Sequence, residues 1–226
     1  MRRTLPSSAS PYYSTGGGFS APTYSSRARS TFGVNISKPG KNLMILIVLG
    51  LVIGTISEFF FVGNVQLTFY LVQNNYLVFH GWIPSLVTSI IVAPGIAGVI
   101  DVLFNAISLF FIDGLLRNVY TSRQYYLVFL LTGIAGNVVS LFGYGVGPNI
   151  IDSTTSFGAS GGIFGLLAGV ISADYAMSRT INRSLLIWFV IIFVYSSLGG
   201  TVDVYAHLGG AIVGLAIGYY VGKNRH

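Results

Sequence analysis

Two residues in this chain are of the type and setting that could make a nucleophile and its base. Ser160 stands in the run Gly158-Ala159-Ser160-Gly161-Gly162, and His207 in the run Asp203-Val204-Tyr205-Ala206-His207-Leu208-Gly209-Gly210. A serine hydroxyl is a poor nucleophile until a base takes its proton. Histidine suits that task because its unperturbed pKa is about 6.5. No third acid is needed in principle, since such a site is a set of roles rather than fixed residue types. Ser160 falls at the start of an apolar run. If that run is a helix, its unpaired N–H groups and positive dipole end favour a developing anion. Other chemistries fit poorly. The three histidines are His80, His207 and His226, with no H-E-x-x-H spacing, and there is no cysteine. No phosphate loop or dinucleotide fingerprint appears. The expectation is therefore no metal and no cofactor.

The elements that must hold these residues are membrane helices. The chain has 226 residues, 53% hydrophobic and 8% charged, against about 25% charged in a soluble domain. So few charges cannot make a water-facing surface, and the expected class is an all-α membrane protein. A net charge of +6 raises nucleic acid as a partner, but the basic residues lie in the connections between apolar runs and form no binding face. Residues 1–42 are rich in Ser, Tyr, Gly, Thr and Pro without apolar periodicity. They are read as a disordered tail, and without an apolar h-region not as a signal peptide. A bilayer span needs about 20 mostly apolar residues. Spans are expected near 43–62, 97–116, 124–143, 158–177, 184–199 and 203–221, which makes 43–226 one six-span domain. Residues 64–95 are apolar and aromatic but interrupted by Gln73-Asn74-Asn75, Gly81 and Pro84. They are read as a loop at the membrane interface, where Trp82 and tyrosines are at home; a seventh span is the alternative.

Charge decides between those two. With the tail inside, the inner connections hold Arg117, Arg123, Arg179, Arg183, Lys223 and Arg225. The tail holds Arg2, Arg3, Arg27, Arg29, Lys38 and Lys41, which completes the 12 basic residues of the chain. Six spans therefore satisfy the positive-inside rule, with both termini cytoplasmic in a multi-pass protein of the cell membrane. Asp101 and Asn105 in the second span, Ser160 in the fourth and His207 in the sixth then share one depth below the outer surface. Polar groups are costly there and are candidates for function. Gly161, Gly165 and Gly169 on one helix, and Gly210, Gly214 and Gly218 on another, make stripes along which two backbones can approach. If the stripes face each other, Ser160 comes near His207; packing without chemistry is the alternative. Phe164, four residues after Ser160, could pack on the imidazole or simply fill the core. Asp203 could orient the imidazole or cap its helix.

The run Gly158 to Gly165 resembles the nucleophile motif of the rhomboid proteases. Ala206-His207 followed by Gly210 and Gly214 resembles that family's histidine helix, and Leu103-Phe104-Asn105 its second-span motif. Leu86-Val87-Thr88-Ser89 after Trp82 is similar to part of its first loop. The resemblance runs from about residue 43 to 221. It implies a six-transmembrane-helix rhomboid-like bundle with an outward-opening wet cavity. It further implies a Ser160–His207 dyad that cuts transmembrane protein substrates in the lipid bilayer, with Asn105 helping to hold the oxyanion. Gly158 and Gly161 would let a substrate backbone approach closely. Three positions depart from the family pattern. Asp101 stands where a histidine is usual, Ser85 where an arginine is, and Arg117 where a glutamate is. An ionised Asp101 would oppose an oxyanion, which leaves three possibilities: a protonated acid, a side chain turned away, or slow catalysis. A rhomboid-like pseudoprotease that binds membrane helices without cutting them, and a small transporter, are the competing functions.

Overall fold

A computed structural model describes residues 35–197 and 202–225. The expected tail falls on residues 1–42, of which 1–34 lie outside the described residues, as do the last two residues of the span expected at 184–199. Helix α1 (Lys38–Ser57) is capped by Ser37, whose hydroxyl accepts from the Gly40 N–H, with a proline in its first turn. It starts at Lys38 rather than at 43 because that cap is fixed by contacts beyond the helix. The long connection after α1 then forms a hairpin of β1 (Phe61–Val62) and β2 (Val65–Gln66), helix α2 (Thr68–Leu71), β3 (Gln73–Asn74), α3 (Asn75–Phe79) and α4 (Ser85–Thr88). No helix in this stretch exceeds five residues.

Among the described residues five helices, α1, α5, α6, α7 and α9, are long and apolar enough to cross a membrane. Helix α5 (Gly95–Val119) follows Pro94. Helix α6 (Ser122–Tyr144) opens with a capping box of Thr121 and Gln124. A two-residue strand, β4 (Thr155–Ser156), precedes α7 (Ser160–Ser178), which ends at Arg179 in the left-handed conformation. Helix α8 (Arg183–Ser197) is shorter, and α9 (Val204–Lys223) is capped by Asp203. Every residue from Gly161 to Val170 is buried, so α7 is the core around which α5, α6 and α9 pack. The outward faces of α1 and α5 are rows of exposed Ile, Leu, Val and Phe, which lipid can accept.

The two glycine stripes meet residue for residue. A Cβ added to Gly210, Gly214 or Gly218 would strike the backbone of Gly161, Gly165 or Gly169 in turn. The α7 and α9 backbones are thus in direct contact, which only small residues permit.

One buried acid was not singled out in the sequence. Asp113, 2% exposed in the far half of α5, accepts from the Ser37 N–H at 2.7 Å, the Ser37 hydroxyl at 2.5 Å and the Tyr125 hydroxyl at 3.3 Å. It joins α1, α5 and α6 at the end of the bundle where the described lysines and arginines lie. Asp113→Ala leaves these donors without their acceptor and is expected to destabilise by about 2–3 kcal/mol. Thermal unfolding in detergent checks this, and an unchanged Tm would show that water replaces the carboxylate.

Candidate active site

Ser160 is the first residue of α7, and His207 lies in the first turn of α9. The stripe contact aligns these two helix starts, since a Cβ on Gly161 would sit 3.2 Å from the Ala206 carbonyl oxygen. His207 is 1% exposed. Its ring lies on that of Phe164, with centroids 4.2 Å apart and planes tilted by 32°. Phe164 is one turn along α7 from Ser160, and among the described residues no hydrogen bond joins the Ser160 hydroxyl to His207. The Nε2 of His207 is buried with no hydrogen-bond partner among the described residues. Its Nδ1 lies 3.4 Å from the Ser196 hydroxyl of α8.

Helix α8 also supplies Phe189 and Phe193, whose rings meet Phe164 edge-on at 5.8 and 5.6 Å. The Phe193 ring lies 6.2 Å from that of His207. Aromatic rings at such spacings hold one another in place, and here they fix the imidazole from two sides. Phe189, Phe193 and Ser196 escaped the reading of the sequence. Their signal was a four- and three-residue spacing on one helix face, hidden because every residue around them is apolar too.

Asp203 caps α9, accepting from the Ala206 N–H at 2.8 Å. Its other oxygen accepts from the hydroxyls of Ser140 on α6 and Ser156 in β4, the latter at 2.5 Å. The carboxylate therefore joins the start of the histidine helix to the segment leading into Ser160. Of the two roles open in the sequence, capping is the one these contacts display.

Asp101 does not turn away. Its Oδ2 accepts from the Asn105 amide at 2.7 Å, and the carboxyl faces the Ala159 backbone N–H. It also crowds Gly158, where an added Cβ would lie 2.6 Å from either carboxyl oxygen. Gly158 has φ +112°, a conformation that side chains rarely adopt. Only glycine meets both constraints. Asp101 and Asn105 thus sit together at the N-terminal end of α7, with the Asn105 amide already engaged.

The loop segment Gln73-Asn74-Asn75 was read as an interruption and is instead a buried clamp, each residue no more than 1% exposed. Gln73 and Asn74 pair in antiparallel register with Ser156 and Thr155. The amides of Asn74 and Asn75 donate to the carbonyls of Ile150 and Gly145 at 2.8 and 2.7 Å. Asn137 of α6 donates to the Leu86 carbonyl at 2.7 Å and the Ser89 hydroxyl at 2.9 Å, while the Gly158 N–H donates to the Ser89 carbonyl. The long connection between α1 and α5 is anchored by these amides. Ser85, where the family has arginine, is fully buried and donates to the Trp82 carbonyl at 3.0 Å. Arg117 reaches the Asn35 carbonyl at 3.4 Å.

The family model described as "Rhomboid domain" matches residues 84–224, which hold Asp101, Asn105, Ser160, Phe164, Ser196, Asp203 and His207. The chain belongs to the rhomboid family and is a multi-pass membrane protein. It is 30% identical over 128 residues to RHOMBOID-like protein 4 of Arabidopsis thaliana, covering 54% of this chain and 30% of that protein. To Rhomboid-like protease 3 of Toxoplasma gondii it is 27% identical over 128 residues, covering 56% of this chain and 48% of that one. To Rhomboid protease GluP of Bacillus subtilis it is 27% identical over 146 residues, covering 63% and 27%. The chain spans about a quarter to a half of the length of these curated relatives.

Proposed function

We propose that this chain is an intramembrane serine endopeptidase that cuts transmembrane helices near their extracytoplasmic ends. The observation that carries the reading is the imidazole of His207, fixed against Phe164 beside the start of the Ser160 helix, with an Nε2 that has no partner among the described residues. In this reading Ser160 Oγ attacks the carbonyl carbon of the scissile bond, and His207 Nε2 takes the hydroxyl proton. In this reading the oxyanion forms at the start of α7, where the Ser160 N–H donates to it and the Asn105 amide does so once released from Asp101. His207 then returns the proton to the departing amine, and water releases the acyl group from Ser160 by the same route. Two relatives whose names include the word protease support hydrolysis in the family.

Orientation follows from charge. Lys38, Lys41, Arg117, Arg123, Arg179, Arg183, Lys223 and Arg225 all stand at helix ends opposite Ser160 and His207. The positive-inside rule makes that end cytoplasmic. The site then opens toward the outer face of a cell membrane, and the substrates are other membrane-spanning chains. The test is reconstitution with a model transmembrane substrate in lipid vesicles. Cleavage near the outer end of the substrate helix, absent in Ser160→Ala, supports the reading; cleavage that survives Ser160→Ala would overturn it.

One observation favours the alternative of a helix-binding protein that does not cut: Asp101 holds the Asn105 amide at the place where an oxyanion needs it. The two readings differ on a substitution. If the protein is an enzyme slowed by this acid, Asp101→His supplies a donor in place of an acceptor and should raise kcat about tenfold or more, one such donor being worth about 3 kcal/mol. Complete loss of cleavage in Asp101→His would instead assign the acid an active part.

A further inference from the structure

The proton position on His207 follows from a contact on the far side of its ring. Ser196 Oγ donates to the Phe193 carbonyl at 2.9 Å, one turn back along α8. A hydroxyl has one proton and two lone pairs. With its proton on that carbonyl, the same oxygen can only accept from His207 Nδ1, 3.4 Å away. In a neutral imidazole one nitrogen carries the proton and the other the lone pair. A proton on Nδ1 therefore leaves the lone pair on Nε2, the buried atom with no partner among the described residues.

Among the described residues no carboxylate bonds to this nitrogen. Both oxygens of Asp203, the acid nearest in sequence, are held by the Ala206 N–H and by the hydroxyls of Ser140 and Ser156. The ring cannot rotate to exchange its nitrogens without displacing Phe164 and Phe193. We infer that Ser196 is a positioning residue: its hydroxyl, oriented by the Phe193 carbonyl, selects the Nδ1–H tautomer of His207 and so presents Nε2 as the base. It stands where an acid stands in a Ser-His-Asp triad, but it is neutral, so it sets the tautomer without adding charge to stabilise the imidazolium. The importance of this for catalysis rests on the endopeptidase reading above; the tautomer itself does not.

The test therefore has two readouts. With His80→Gln and His226→Gln, His207 is the only histidine, and 15N-histidine NMR of the full chain in micelles at pH 8 reports its tautomer directly. The parent protein and Ser196→Thr should show Nδ1–H, and Ser196→Ala a mixture or the Nε2–H form. In parallel, Ser196→Ala should lower kcat about tenfold with KM unchanged, and Ser196→Thr should restore it. An Nε2–H tautomer in the parent, or a Ser196→Ala protein with parental tautomer and kcat, overturns the inference. If no Ser160-dependent cleavage is found at all, the endopeptidase reading fails, and the NMR arm still decides the assignment of Ser196.

Discussion

His207→Ala is expected to lower kcat by at least about 10³-fold, and Ser160→Ala to the same floor. A positioned general base alone contributes about 10²–10⁴-fold. Residues that act on one proton transfer are not additive, because removing either stops the same step. The double variant should therefore be no slower than either single one. The geometry behind this is the alignment of the two helix starts, with His207 packed on Phe164 one turn from Ser160. KM should change little, since neither group is needed to hold a substrate helix. Progress curves with a transmembrane substrate, at saturating and limiting concentrations, separate the two constants. A double variant slower than the singles by the product of their effects would mean that the two residues act on separate steps.

Gly214→Val should have the largest effect on folding. Gly214 lies where α9 crosses α7, and a Cβ there would come within 2.7 Å of the carbonyl carbon of Gly165. Two further methyl groups cannot be accommodated by a side-chain shift, because the obstacle is backbone. The helices must part along the whole stripe, losing the packing at Gly210 and Gly218 as well. Overpacking typically costs 1–3 kcal/mol where side chains can adjust; here about 3 kcal/mol or more is expected, with loss of the alignment of the α7 and α9 starts. Gly114→Val is the control, since nothing lies within 4 Å of a Cβ at that position. Thermal unfolding of both in detergent should show a fall for Gly214→Val alone. Equal behaviour of the two would mean that the close contact does not hold the bundle together.

The sequence was most legible where lipid imposes a rule. Span positions follow from apolar length, and the end of the bundle that carries charge follows from Lys and Arg placement. The facing of the glycine stripes was readable because four-residue spacing on two helices has one simple use. The long connection between α1 and α5 was not legible. Gln73, Asn74 and Asn75 look like an interruption by composition, whereas their amides hold the loop onto the segment before Ser160. Pairing between residues about 80 positions apart leaves no local pattern. Asp113 was overlooked because its partners, Ser37 and Tyr125, are polar groups of ordinary type in other elements. Asp101 was recognised as unusual, but its direction depended on the Gly158 conformation, which sequence does not give.

The dyad can be tested most directly with a peptidyl chloromethyl ketone, which bonds to a nucleophilic serine and alkylates an imidazole nitrogen within reach of it. Intact mass and peptide mapping of the treated protein should place the alkyl group on Nε2 of His207. Ser160→Ala should abolish that adduct while leaving the fold unchanged by circular dichroism. Alkylation of His207 that is indifferent to Ser160, or modification of His80 or His226 in its stead, would contradict the pairing of these two residues.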